Sequence, residues 1–413
     1  MKDARSRRGW LALSAVGLTL VLVAAACGSD PTATPVPTAT STPVPGQPTP
    51  TPSPTPDAAA LFQVEWDALI AAAQEEGRLV IGGGGSPSRE YRELVNIFGD
   101  QFGLTVELST GSGSDTVNRI LVERDAGLYS VDIGLTSVNS STSRLVPANA
   151  LVPVPPLLVH PEVLDRSAWY QGQHWYADVG RELVFIYAAQ PTLDYDIWYH
   201  TPSVSAEEIA TIQSPFDFLD AKWSGMVADS PWGNRSALGE MMEAYFAPDM
   251  GPEWVREYIV DFGVTWQADD RILETWLSQG RFPLAWGGGA VLLQLEQLGI
   301  PIARVTIPKE QGTLAARGSG CCIMMYGRAP NPNAAKLFLN YFLTKEGQTA
   351  VHNVDVLLTR ESLREDIPIG NVVPDRQRQD GVDYFFRDGD PDWPAKQKES
   401  GDFILQAWAD RKT

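Results

Sequence analysis

Hydrophobic residues change their spacing three times along this chain. Over residues 10–26 they run without interruption, preceded by Arg5, Arg7 and Arg8 and ending in Ala24-Ala25-Ala26-Cys27. Over residues 28–56 nearly every position is Thr, Pro, Ala or Ser, as in Pro48-Thr49-Pro50-Thr51-Pro52, and no apolar period survives. Past Asp57 two periods alternate. Residues 62–76 carry Val64, Leu69, Ile70 and Ala73 at helical spacing, and Gly77 ends the run. Arg78-Leu79-Val80-Ile81 reads as a buried strand leading into glycines at 82–85. A helix at 90–98, a strand at 104–108, a Gly/Ser loop at 111–114, a helix at 115–125 and a strand at 131–135 follow. Strand and helix alternating at these lengths predict right-handed βαβ units and a parallel sheet.

The same grammar returns further on. Strands are expected at 184–188, 226–228 and 282–286, and helices at 216–223, 237–246, 272–279, 291–297 and 333–342. There is no internal repeat, only a second α/β set, which suits two lobes with a cleft between them. In such sheets ligands sit beyond the carboxyl ends of the strands. Those ends carry residues 82–88, 111–114 and 136–137 in the first set, and 230–236 and 287–289 in the second.

The N-terminal run is an export signal by its charge, length and small residues before Cys27. It is short for a spanning helix of about 20 residues. It resembles the lipobox of bacterial lipoproteins, with Ala24 in the position usually held by Leu, and that resemblance implies lipidation of Cys27. Prolines fix φ and remove donors, so residues 28–56 form neither helix nor sheet. They make a semi-rigid stalk, on the order of 90 Å if fully extended at ~3.1 Å per residue. Residues 1–26 are therefore expected to be removed, and 27–57 to tether an extracytoplasmic body to the membrane.

Net charge narrows the partners. The chain has 51 acidic against 32 basic residues, a formal charge of −19. Such a chain repels phosphate backbones, so nucleic acid is not an expected partner. An anionic ligand needs a local pocket of donors. Nothing recommends an enzyme: G-x-S-x-G, H-E-x-x-H, C-x-x-C and Walker-type loops are absent, and His160, His174, His200 and His352 lack metal-ligand spacing. No cofactor is implied.

Four segments carry a family resemblance. They are Ala72-Ala73-Gln74-Glu75-Glu76-Gly77-Arg78-Leu79-Val80-Ile81, Gly127-Leu128-Tyr129-Ser130-Val131-Asp132-Ile133, Phe216-Asp217-Phe218-Leu219-Asp220-Ala221-Lys222-Trp223-Ser224-Gly225-Met226, and Asn333-Ala334-Ala335-Lys336-Leu337-Phe338 with Lys345-Glu346-Gly347-Gln348. In this order the chain resembles the periplasmic-binding-protein type II fold, in the extracellular solute-binding branch that includes the ferric-iron and thiamine binders. The resemblance implies an α/β protein of two lobes, each a mixed sheet flanked by helices, with a hinge of crossing strands. Lobe 1 is expected at 58–180 with 303–352 returning to it, and lobe 2 at 181–302 with C-terminal helices in 353–413. It implies a monomer that captures a small ligand, anionic or an iron complex, and delivers it to ABC permease and ATPase subunits. The chain departs from the ferric binders where they place adjacent tyrosines: Gly287-Gly288-Gly289 stands there instead. Glycine backbone cannot replace phenolate donors, so direct tyrosinate capture of iron is not expected.

Candidate ligand contacts follow from the strand ends. Gly85 and Ser86, then Ser112, Gly113 and Ser114, then Ser137, offer amides and hydroxyls beside helix starts. Turn and capping chemistry explains the same residues without a ligand. Asn234, Arg235 and Ser236 form the preferred polar site, with Arg235 a bidentate clamp for carboxylate or phosphate. Arg181 is a weaker version that a structural ion pair would also satisfy. Gly287 and Gly288 permit close backbone approach. Trp175, Trp232 and Trp286 lie near strand ends and either line the cleft or pack the core. The vicinal pair Cys321-Cys322 reads as two small core residues, or as a strained disulfide in an oxidising compartment. Rival readings are a sugar-binding importer component, whose ligand would stack on tryptophan, a sensory module, and an extracellular hydrolase.

Overall fold

The computed structural model describes residues 58–84, 91–111, 113–230, 238–267, 269–287, 289–316, 320–354 and 360–411. The export signal, Cys27 and the stalk lie outside them. The strands in chain order are β1 (Arg78–Gly84), β2 (Thr105–Gly111), β3 (Ile133–Thr136), β4 (Trp175–Tyr176), β5 (Phe185–Ile186), β6 (Ala188–Asp194) and β7 (Ile197–His200). They continue with β8 (Val227–Asp229), β9 (Thr265–Trp266), β10 (Leu284–Trp286), β11 (Ile302–Val305), β12 (Pro308–Ala315), β13 (Cys322–Met325), β14 (Glu361–Ser362) and β15 (Tyr384–Phe386).

Three sheets result. The first has the order β2-β1-β3-β13-β5-β4. Its β2-β1-β3 part is parallel, as the βαβ pattern predicts, while β13 and β5 add antiparallel pairs. The second has the order β11-β7-β10-β8-β9 and is likewise mixed. Between them lies a small third sheet, β14-β6-β12-β15. Its centre is the antiparallel pair β6 and β12. Only Tyr187 separates β5 from β6, and only Tyr195 and Asp196 separate β6 from β7. The chain thus crosses from the first sheet to the second along β6 and returns along β12. This is a two-lobed mixed α/β fold with a hinge of crossing strands.

The first core is built on Leu79, Val80 and Ile81, which are fully or almost fully buried, with Phe98, Phe338 and Phe342 from flanking helices. The helices Ala58–Glu76 and Pro332–Leu343 pack on one another. The second core is aromatic. Phe218, Trp254, Tyr258 and Trp286 lie with ring centroids 4.9 to 6.2 Å apart, and the helices Leu238–Phe246, Gly251–Val260 and Trp393–Asp410 pack together over it.

Three of the four family-like segments hold the first lobe together, while Phe218, Leu219 and Trp223 of the other pack in the second core. Asp132, fully buried, accepts from the Val80 N–H at 2.8 Å, the Asn331 N–H at 2.7 Å and Asn331 Nδ2 at 2.9 Å. Glu76 accepts from the Asn333 N–H and side chain and from the Ala334 N–H, capping the helix Pro332–Leu343. Buried Gln348 donates to the Phe342 carbonyl and accepts from Ser362 Oγ. Asp132 and Glu76 satisfy backbone donors, and Gln348 a backbone acceptor, that burial would otherwise orphan.

Boundaries differ from the periodicity where glycine and caps intervene. The helix expected at 90–98 is Arg92–Phe102: Gly99 continues it, packed under the Leu104 carbonyl, and Gly103 at φ +70° terminates it. The helix expected at 216–223 splits into Pro215–Phe218 and a 3-10 turn Ala221–Trp223, because Ser214 and Asp220 each cap a new start.

Candidate ligand-binding cleft

On the first lobe three strand ends emerge side by side. Register sets Gly84 opposite Gly111 and Gly83 opposite Leu135. The helix Gly113–Asp125 starts directly after β2, so its first-turn amides stand at this edge. Ser137 follows β3, and its hydroxyl accepts from the Ser140 N–H to cap the short helix Val138–Ser140. Helix packing accounts for two of the glycines. A Cβ on Gly82 would lie 3.1 Å from Val131, and one on Gly111 would lie 2.9 Å from the Thr116 hydroxyl.

On the second lobe β8 and β10 run parallel and end together at Asp229 and Trp286. Buried Asp229 accepts from the Ser230 N–H at 2.6 Å and from Tyr258 Oη at 2.9 Å. Gly287 has φ +81°, a conformation suited to glycine, and its N–H donates to the Asp196 carbonyl at 2.6 Å. Trp286 is only 6% exposed and packs against Tyr195, Phe218 and Trp254.

A cavity of about 380 Å³ lies against the hinge. Strand alternation puts Gln190, Thr192 and Asp194 of β6 and Lys309, Gln311 and Thr313 of β12 on its wall, opposite aromatic Tyr195, Trp286, Phe385 and Trp393. Lys309 Nζ donates to the Thr192 and Thr313 hydroxyls at 3.1 and 3.2 Å, and those hydroxyls are 2.5 Å apart. Buried Arg376 bonds Asp196 at 3.1 Å and lies 3.9 Å from Asp194. Tyr195 donates to Asp249 at 2.5 Å. Burial, then the Asp249 carboxylate, push its phenol well above the ordinary tyrosine value, so it stays protonated. Bases and acids face one another throughout this cavity, which makes it polar and aromatic rather than cationic.

The candidates from the sequence that lie among the described residues divide into three groups. Gly113, Ser114 and Ser137 gather at the first-lobe edge, Ser114 within the first turn of its helix. Trp286 and Gly287 stand at the second-lobe edge. Trp175 and Arg181 come together at the hinge crossing: Arg181 lies over the Trp175 ring and donates to the Gly389 carbonyl at 2.7 Å, and Trp175 Nε1 donates to the Tyr170 carbonyl. Arg181 thus makes a backbone bond and a ring contact. Gly85, Ser86, Ser112, Trp232, Asn234, Arg235, Ser236 and Gly288 lie outside the described residues. Sequence reading missed Lys309, Thr192, Thr313 and Arg376. The polar alternation of Gln190, Thr192 and Asp194, and of Lys309, Gln311 and Thr313, was the available signal. Among the described residues no cluster of three or more His, Cys, Asp or Glu could hold a metal ion, and no helix is long and apolar enough to cross a membrane.

A family model described as bacterial extracellular solute-binding protein matches residues 93–359. No curated protein sequence matches the chain. Solved structures with the same fold include the substrate-binding protein of an ABC transporter from Agrobacterium tumefaciens, 17% identical with a TM-score of 0.58, covering 80% of this chain and 94% of that one. Apo FutA2 from Synechocystis PCC6803 is 13% identical with a TM-score of 0.57, covering 80% and 99%. The Trichodesmium protein IdiA (FutA), in complex with iron and citrate ligands, is 15% identical with a TM-score of 0.55, covering 80% and 98%.

Proposed function

The chain belongs to the bacterial extracellular solute-binding protein family, and on that premise we propose that it captures a small anionic ligand or iron complex between its lobes. It is a binding component of an ABC transporter, not an enzyme. In this reading a permease receives the ligand, and lipid on Cys27 with the stalk of residues 28–57 keeps the body near it.

One observation carries the ligand class. Strand ends on both lobes lead into helix starts, after Gly111, Ser137 and Gly287. Backbone N–H groups at such starts favour negative charge. Ser86, Asn234, Arg235 and Ser236 would complete the donor set. Tyrosinate capture of bare iron does not suit this chain, because glycines occupy residues 287–289 and Tyr195 is bonded to Asp249 as a donor. Iron brought in as a carboxylate complex suits it better, and the Trichodesmium neighbour is in complex with iron and citrate ligands. A specific observation favours a second reading: Trp286, Trp393 and Tyr195 with Gln190 and Gln311 around the hinge cavity suit a sugar ring.

A thermal-shift panel on the fragment from Asp57 separates these readings. It would hold ferric citrate, phosphorylated compounds, carboxylates, polyamines and sugars. A ligand at 100 times its Kd adds about 2.7 kcal/mol, roughly 3–5 °C for a body of this size. The shift should come from an anionic class, and Arg235→Ala should weaken that binding tenfold or more. A shift from sugars alone would favour the second reading, and unchanged affinity in Arg235→Ala would remove Arg235 from the site.

A further inference from the structure

Adjacent side chains on an extended strand point to opposite faces, so consecutive cysteines ordinarily hold their sulfurs apart. Cys321 and Cys322 do not: their Sγ atoms are 2.6 Å apart. Cys322 opens β13, paired with Thr136 and Ile186, while Cys321 sits in the bend before it. The Cys321 carbonyl accepts from both the Tyr187 and Ala188 N–H groups, where β5 gives way to the hinge. Gly320 permits the bend. A Cβ there would lie 2.7 Å from Tyr91 Oη and 2.8 Å from Arg360 Nη2. Both cysteines are fully buried, and no disulfide joins them in this structure.

We propose that Cys321 and Cys322 are a modification site, closed to a vicinal disulfide as the exported chain folds. The oxidant is a disulfide, borne by a thiol–disulfide oxidoreductase or a small organic disulfide. One cysteine thiolate attacks a sulfur of the oxidant, whose S–S bond breaks and releases its first thiol. The neighbouring thiolate then attacks the mixed disulfide, forming the Cys321–Cys322 bond and releasing the second thiol. Two electrons pass to the oxidant, and the two thiol protons end on its two thiols.

Burial pushes the Cys322 thiol up, and the thiolate is the attacking species. Exchange therefore belongs to the unfolded chain, before lobe 1 closes over the pair. Adjacent Cα atoms are about 3.8 Å apart, below the ordinary disulfide range, so the bond is strained and readily reduced when exposed. With no residues between the cysteines it constrains little unfolded-chain entropy. Its effect is local, fixing the peptide at which the second crossing strand re-enters the first sheet.

The test uses the full chain in two arms, exported and retained in the reducing cytoplasm. Each is denatured in iodoacetamide without reductant and digested with trypsin. The peptide of residues 318–328 contains Cys321 and Cys322 and no other cysteine. From the exported arm it should be unalkylated, two hydrogens lighter than the dithiol, and take two alkyl groups only after reduction. From the cytoplasmic arm it should take two at once. An exported Cys322→Ser chain should take one without reductant, showing that the reagent reaches the site. Two alkyl groups on the exported wild-type peptide, or linkage to any other thiol, would overturn the proposal.

Discussion

Asp132 offers the sharpest test of how the first lobe is held. Its carboxylate accepts from the Val80 N–H, the Asn331 N–H and Asn331 Nδ2, joining β1, the approach to β3 and the start of the helix Pro332–Leu343. Asp132→Ala orphans these donors in a buried setting. Hydrogen bonds to a charged acceptor are worth about 1.5–3 kcal/mol each and are not additive, so the expected loss is roughly 3–5 kcal/mol. That corresponds to a fall in Tm of roughly 4–7 °C. Asp132→Asn keeps the volume but sets an amide donor against the same donors, and should lose a large part of that stability too. Urea unfolding of both variants reads the change directly. A loss below about 1 kcal/mol would refute the staple.

The sign of the pH effect adds a second arm. Burial is the largest influence on Asp132 and raises its pKa, while its bonds to Asn331 and Val80 lower it in part. A carboxyl whose pKa is raised on folding binds more protons folded than unfolded. Its contribution to stability therefore declines as pH rises from the ordinary aspartate value through the raised one, and returns on acidification. The advantage of wild type over Asp132→Asn should widen as pH falls through that window.

Three further outcomes are expected. Gly347→Ala drives a Cβ into the Tyr341 carbonyl oxygen and places it 2.7 Å from that of Phe342, and should destabilise by about 1–3 kcal/mol or more in chemical unfolding. Glu76→Ala removes three bonds at a helix start, for a loss of about 1–2 kcal/mol by the same measurement, with ligand affinity unchanged. Cys27→Ser should release the exported protein from membranes into the medium, read by fractionation; retention in the membrane fraction would contradict lipid anchoring at Cys27.

Legibility followed from how local each signal was. β1 was visible because a short apolar run leads into glycine, β3 because one leads into Thr136-Ser137, and their helices keep a 3.6-residue period. The hinge strand β12 was not, because its sequence Pro308 to Ala315 includes alternating polar residues that face a cavity rather than solvent. The ion pair of Arg376 with Asp196 spans 180 positions, and no local pattern announces such a partner. Trp286 was legible as a strand-end aromatic, but whether it lined a cleft or packed depended on Tyr195 and Trp254, which come from elsewhere in the chain. Three acidic and amide residues of the family-like segments proved to be internal braces: Glu76, Asp132 and Gln348 bind backbone groups and helix starts. Chemistry in the cleft depends instead on the strand-end loops, where short polar residues and glycine serve turns and ligands alike.

Capture in this protein works by closure of the two lobes on the hinge formed by β6 and β12. Small-angle X-ray scattering of the fragment from Asp57, with and without the ligand class that raises its Tm, tests this most directly. The saturated protein should have a smaller radius of gyration, at one ligand per chain. Saturable binding with no change in radius would contradict it.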